Sequence, residues 1–395
     1  MITSVGIILA VGILAGMAFE KLRLPGLLGM LITGVVIGPY GMDIISPDLL
    51  GISSDIRKIA LVVILLRAGL GIRRDTLARV GVPAMKMSCI PGILEGVAIT
   101  FVASALLGIP KLEAAIMGFI IAAVSPAVVV PQMISLIDRR LGDAKGIPTL
   151  ILAGASIDDI FAITVFSSLL GIYSGKGTSI AIAALNIPLS IIFGAAAGAI
   201  AALAYIGLGK KLVMPQVKKI IILLSMAFLL TGAETLFEGK VPFSSFIGIM
   251  FAGFVILERI PKEAIGVAQT LSKIWIFAEV FLFVLVGAQV DVHVAMDAGV
   301  KGILIIIAGL AFRSVGVMVS LIGTNLNTKE RLFCAVSYVP KATVQAAIGA
   351  VPLSAGVASG DLILAMAVLS IVLTAPIGAA GIKFLGERWL EKPAA

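Results

Sequence analysis

Apolar stretches of roughly 17–28 residues, each long enough to span a bilayer, follow one another along this chain with only short polar interruptions. In lipid every backbone N–H and C=O must find a partner within the protein, which leaves helices as the way for such stretches to cross. Segmenting at charges, Pro and Gly predicts thirteen spans, near residues 2–19, 25–41, 56–72, 83–107, 112–136, 147–172, 179–208, 217–236, 240–257, 274–290, 301–322, 330–352 and 359–385. Only 13% of residues are charged, about half the usual soluble share, so no soluble domain, long linker or low-complexity tail fits between the spans. The first stretch lacks a basic leader and runs directly into further spans, so it is expected to be retained and not cleaved as a signal. The predicted fold class is an all-α polytopic membrane protein.

The basic residues orient it. Of the 30 Lys and Arg, 20 fall in alternate loops and the C-terminal tail, whereas six (Arg57, Lys58, Lys111, Lys176, Lys240 and Lys301) lie in or beside the opposite set. Positive residues stay cytoplasmic, which predicts an external N-terminus and a cytoplasmic C-terminus. The net charge of +8 then reflects topology and gives no reason to expect nucleic acid. Cys89 and Cys334 both fall within spans and match neither a disulfide framework nor a metal motif, and His293, the only histidine, cannot build a histidine metal cluster.

Two pairs of segments look alike. "LLGMLITGVVIG" (27–38) resembles "FIGIMFAGFVIL" (246–257), with Gly29 over Gly248 and Gly34 over Gly253; "AAVSPAVVVPQMI" (122–134) resembles "CAVSYVPKATVQAAI" (334–348), with Pro126 opposite Pro340. Seven spans separate the members of each pair, and an odd offset reverses orientation, as in the inverted repeats of secondary transporters. Such folds bind substrate near the midplane, at discontinuous helices. Pro126 and Pro131 in one segment and Pro340 in the other remove amide donors and disfavour helix just before them, so both segments are expected to break and cross there.

Eight charged residues lie three or more positions inside the ends of predicted spans. Arg67 and Lys86 are near span ends, where long side chains can snorkel; Glu95, Asp158, Asp159, Arg313 and Lys341 are central, as is Ser125, and Glu279 has no assigned role. A central Asp costs roughly 2.5–3.5 kcal/mol on insertion scales, and "AGASIDDIFAITVF" (153–166) accepts that cost twice. Two adjacent carboxylates repel and titrate as a coupled pair. Such a group takes a proton or, when ionised, a hard cation that prefers oxygen. Successive side chains on a helix diverge by about 100°, so one carboxylate can face the cation and the other a basic partner. Lys341 is the expected partner of Asp158, and Glu95 with Arg313 is expected to act mainly as a structural pair.

At these residues the chain resembles the monovalent cation/proton antiporters, in the branch of the animal sodium/hydrogen exchanger-like proteins and their bacterial relatives. The matching stretches are "LLRAGLGI" (65–72), "AAVSPAVVVPQM" (122–133), "KGIPTLILAGASIDDIFAIT" (145–164) and "VPKATVQAAIGAV" (339–351). The resemblance implies a core bundle over 83–172 and 301–385, and a scaffold and dimerisation region over 1–72 and 179–290. It implies Asp159 as the main cation and proton carboxylate, Asp158 beside it, and Ser125, Thr343 and backbone carbonyls completing the site. Glu95 with Arg313 matches an intramembrane ion pair of the branch. The animal proteins carry an additional N-terminal span and tail that these residues lack, which bears on the packing of the dimer.

The expected function is exchange of Na⁺ or Li⁺ for protons across a bacterial inner membrane by alternating access, with no cofactor and no enzymatic step. Asp158 and Asp159 would hold the transported cation, in a protein assembled as a homodimer. A potassium/proton antiporter or a sodium-coupled organic-anion transporter would keep the same repeat. An intramembrane aspartyl protease would need its two aspartates on different helices, whereas these are adjacent; a passive channel would not need a single titratable site.

Overall fold

The computed structural model describes residues 1–391 apart from 23, 72–73, 143, 175–179, 213, 238–240 and 242. The basic residues Lys176 and Lys240, and the predicted span limits at 72, 179 and 240, lie outside the described residues, as do the side chains of Pro126, Pro131 and His293. Among the described residues the secondary structure is helical, with no strand. The chain runs through α1 (Ile2–Lys21), α2 (Gly26–Ile37), α3 (Pro47–Gly51), α4 (Ser53–Gly69), α5 (Arg74–Leu107), α6 (Lys111–Ala122), α7 (Pro126–Asp138) and α8 (Ile147–Tyr173). It continues through α9 (Ile180–Lys211), α10 (Gln216–Phe237), α11 (Ser245–Arg259), α12 (Pro261–Ala288), α13 (Val292–Ser320), α14 (Thr328–Ser337), α15 (Thr343–Ile348), α16 (Val351–Ser354) and α17 (Gly360–Trp389). Every predicted span coincides with one or more of these helices. Seven stretches among the described residues are long and apolar enough to cross a membrane as they stand; several of the other helices are shorter apolar pieces. Large apolar side chains such as Ile200, Leu229, Leu236 and Ile307 stay exposed on the outside of the bundle, as lipid-facing positions do.

The segments predicted over 112–136 and 330–352 are each split. Between α6 and α7 the backbone is extended at Ala123 (ψ 139°) and Ser125 (ψ 110°), as expected for a residue preceding proline; α7 starts at Pro126, where the missing N–H costs nothing. Between α14 and α15, residues 338–342 leave the helix around Pro340. The two breaks meet: the Ser125 N–H donates to the Pro340 carbonyl at 2.8 Å.

Several contacts recur at a fixed interval. Glu95 pairs with Arg313, and Ser125 lies against Thr343, each 218 residues apart. At the same interval, Gly81 bends α5 at φ +48° and Gly299 bends α13 at φ +32°, a backbone region that favours glycine. Gly34 on α2 lies against Val284 and Ala288 of α12, with Gly287 against Leu31; Gly253 on α11 lies against Leu66 and Leu70 of α4, with Gly69 against Met250. To within one residue the second set of contacts is the first, shifted by that interval. Ser125 thus stands against Thr343, about one helical turn from the sequence alignment of Pro126 with Pro340.

Packing divides the helices into two groups. α5–α8, α13, α14 and α17 pack chiefly on one another, as do α1, α2, α4 and α9–α12. The breaks and the central charges lie in the first group.

Candidate functional site

Asp158 sits on α8 facing the first break. Its Oδ2 accepts the Val124 N–H at 2.9 Å and Arg313 Nη2 at 2.9 Å. Val124 lies between α6 and α7, where no helical turn supplies an acceptor for its amide, so the carboxylate caps the break. Arg313, carried by α13, also donates through Nη1 to Glu95 Oε2 on α5 at 2.6 Å and to the Ala122 carbonyl. Lys341, in the second break, donates to the same Glu95 oxygen at 2.7 Å and reaches the Ala122 carbonyl at 3.4 Å. All four charged residues are at most 1% exposed.

This arrangement corrects the pairing expected from the sequence. Lys341 is the partner of Glu95, not of Asp158; Glu95 does pair with Arg313 as expected, and that pair is the middle of a chain running Lys341, Glu95, Arg313, Asp158. The physical reason is the broken helix. Ala122 ends α6, where carbonyls have no intrahelical partner and the helix dipole is negative; both cations gather at that oxygen and share the adjacent carboxylate. A buried ionic chain of this kind repays its desolvation only when its groups are closely paired and hydrogen-bonded, as they are here.

Asp159 is different. It is 6% exposed, takes no part in that chain, and its Oδ1 has no hydrogen-bond partner among the described residues. It lies within electrostatic reach of Asp158, Arg313 and Lys341. Counted as ionised groups, Glu95, Asp158 and Asp159 face Arg313 and Lys341, which leaves one negative charge uncompensated. Among the described residues Glu95 Oε1 and Asp158 Oδ1 are also buried without hydrogen-bond partners, so three such carboxylate oxygens lie in this region. Ser125 and Thr343, both buried, bring their hydroxyls to 3.5 Å from each other where the breaks cross. Oxygen donors with one surplus negative charge suit a monovalent hard cation or a proton.

Some of the supporting residues gave no signal that the sequence reading used. Gln345 is fully buried on α15 and reaches into the opposite break. Its Nε2 donates to the carbonyls of Ile120 (3.0 Å), Ile121 (3.2 Å) and Ala123 (2.8 Å), while its Oε1 accepts the Ala342 N–H at 2.9 Å. The available signal was an amide within an apolar run three residues after Ala342. Thr374 on α17 accepts the Lys341 N–H at 2.8 Å, and the Tyr338 ring lies over the Arg313 guanidinium at 5.2 Å. Glu279, away from the breaks on α12, lies in electrostatic reach of Arg67 and Glu20 and has a hydrogen bond from Trp275.

The family model for the transmembrane part of sodium/hydrogen exchangers matches residues 6–388. Sodium/hydrogen exchanger 9B2 of Mus musculus is 34% identical over 393 residues, covering 93% of this chain and 69% of that protein. The Homo sapiens 9B2 protein is 33% identical over 392 residues, with 93% and 70% covered; sodium/hydrogen exchanger 9B1 of Homo sapiens is 31% identical over 384 residues, with 93% and 73% covered. Among solved structures, the sodium proton antiporter MjNhaP1 from Methanocaldococcus jannaschii at pH 8 matches with a TM-score of 0.86 over 98% of both chains, at 21% identity. That last likeness is one of fold.

Proposed function

The chain belongs to the sodium/hydrogen exchanger family, multi-pass membrane transporters of cations and protons and not enzymes, and on that premise we propose that it exchanges Na⁺ or Li⁺ for protons by alternating access. The observation that carries this reading is the surplus carboxylate: Asp159 is buried beside a chain of charges that is already paired without it. Ionised, it binds the cation together with oxygens from Asp158, Ser125, Thr343 and backbone carbonyls of the breaks. Protonated, it has no charge to offer, and the cation leaves. One carboxylate serving either ion couples the two flows. The gradients are sufficient to drive exchange, since a pH unit is worth about 1.4 kcal/mol and 100 mV about 2.3 kcal/mol per charge.

In this reading Glu95, Arg313 and Lys341 hold the breaks together and Arg313 pairs with Asp158, so that the transported charge is confined to Asp159. The recurring contacts and paired glycine bends support an inverted repeat within a thirteen-span chain. The two packing groups support a core bundle (83–172 and 301–385) that moves against a scaffold (1–72 and 179–290), the scaffold also forming a homodimer. The N-terminus is external and the C-terminus cytoplasmic in a bacterial inner membrane, on the distribution of Lys and Arg.

The competition can be tested without transport. In weakly buffered detergent solution, adding Na⁺ or Li⁺ to the protein should release protons into an indicator dye, and the Asp159→Asn variant should release none. Equal proton release from that variant would contradict Asp159 as the shared site.

A further inference from the structure

Tyr338 is fully buried in the second break, and only half of its side chain is explained by its surroundings. The ring lies over Arg313 at 5.2 Å, a cation–π contact that phenylalanine would also make. The hydroxyl has no hydrogen-bond partner among the described residues, and leaving a buried hydroxyl unpaired is unfavourable. The fold makes room for it. A Cβ on Gly154 would fall 2.1 Å from the Tyr338 oxygen, so any other residue at that position would displace the hydroxyl.

Gly154 and Asp158 are four residues apart on α8 and therefore share one face, separated by about 6 Å along the axis. The hydroxyl thus stands on the Asp158 face, one turn toward the N-terminal end of α8. Asp158 Oδ2 is taken by Arg313 and Val124, but Oδ1 has no hydrogen-bond partner among the described residues. Gly92 on α5 faces that oxygen, and a Cβ there would stand 3.2 Å from it. A neutral hydroxyl oxygen and a free carboxylate oxygen on one helix face, each opposite a glycine, are donors of the kind a hard monovalent cation takes.

Resting on the exchange reading above, we propose that Tyr338 is a further ligand of the transported cation. Its hydroxyl, one helical turn from Asp158 on the side of the α8 N-terminus, forms a staging position from which the ion passes to Asp158 Oδ1 and Asp159, exchanging water for protein oxygens on the way in or out.

Tyr338→Phe keeps the ring over Arg313 and removes only the oxygen. In proteoliposomes reporting Na⁺-driven proton flux, this variant should raise the half-saturating Na⁺ concentration about tenfold, the effect of losing one good polar contact, with turnover at saturating Na⁺ retained. Thermal unfolding of the cation-free protein should be unchanged or shifted upward, because an unpaired buried hydroxyl has gone; a purely structural role would lower it. Gly154→Ala, which displaces the hydroxyl while leaving the tyrosine in place, should reproduce the shift in half-saturation. Half-saturation within twofold of wild type in both variants, or lost turnover at unchanged half-saturation, would overturn the subsite. A wild-type protein without Na⁺- or Li⁺-dependent proton flux would instead overturn the exchange reading on which it rests.

Discussion

Asp158 and Asp159 are chemically identical neighbours separated by partners. Asp158 is held by Arg313 and the Val124 amide, whereas Asp159 Oδ1 is held by nothing among the described residues. Asp159→Asn should therefore abolish exchange with little change in thermal unfolding, and Asp158→Asn should lower stability, since it weakens the partner of a buried guanidinium. The charged chain also ranks its own substitutions. Glu95→Gln leaves both Arg313 and Lys341 without that carboxylate, while Lys341→Gln leaves Glu95 still paired with Arg313. Breaking a buried pair typically costs about 3–5 kcal/mol, so Glu95→Gln should lower the unfolding temperature in detergent by more than Lys341→Gln; the opposite order would contradict the arrangement. The ionisable residues that meet here were legible in the sequence, because a charge within an apolar run is conspicuous. Of their pairing only Glu95 with Arg313 was. Which oxygen a lysine reaches depends on where the α6 carbonyls end, and that is set by a crossing of segments more than 200 residues apart.

At the level of elements, the breaks themselves were legible, because Pro126 and Pro340 each remove an amide and disfavour helix just before them. What fastens one break to the other was not, since Gln345 looks in sequence like an ordinary polar residue of a membrane helix. Gln345→Leu would deprive the carbonyls of Ile120, Ile121 and Ala123 of a donor and the Ala342 N–H of its acceptor. With about 1–3 kcal/mol for each buried group left unpaired, it should destabilise the protein more than Ser125→Ala, as measured by thermal unfolding. A second fastening lies outside the membrane. Lys145, just before α8, donates to Glu330 at the start of α14 and to Glu391 beyond α17, each at 2.9 Å. These hydrogen bonds raise its pKa above the ordinary lysine value. Because the folded-state value is the higher one, the contact is fully formed below pH ~10 and fades as pH rises through the raised value. Proteolytic trimming of the C-terminal segment should accordingly be unaffected between pH 6 and 9 (~3 units of working range) and become faster with Lys145→Glu; a steep rise within that range would show that another group controls the contact.

Across the whole molecule, the sequence offered two short internal matches, and contacts between helices recur at a similar interval in the structure. The glycines Gly34 and Gly253 are the legible part, since both were aligned in sequence and both sit where helices touch backbone to backbone. Gly34→Val and Gly253→Val should reduce stability to a similar degree, because at each position a side chain would meet the backbone of the facing helix. The register at the breaks was less legible, as Ser125 stands against Thr343 while the prolines align about one turn away. The account as a whole depends on one carboxylate exchanging two ions. Its most direct test is a purified preparation in acid-loaded liposomes with a pH-sensitive dye inside, given Na⁺, Li⁺ and K⁺ in separate additions, with Asp159→Asn alongside. The expected result is collapse of the pH gradient on addition of Na⁺ or Li⁺, no response to K⁺, and no response from the variant to any of the three; a response to K⁺ alone, or a variant that matches the wild type, would contradict it.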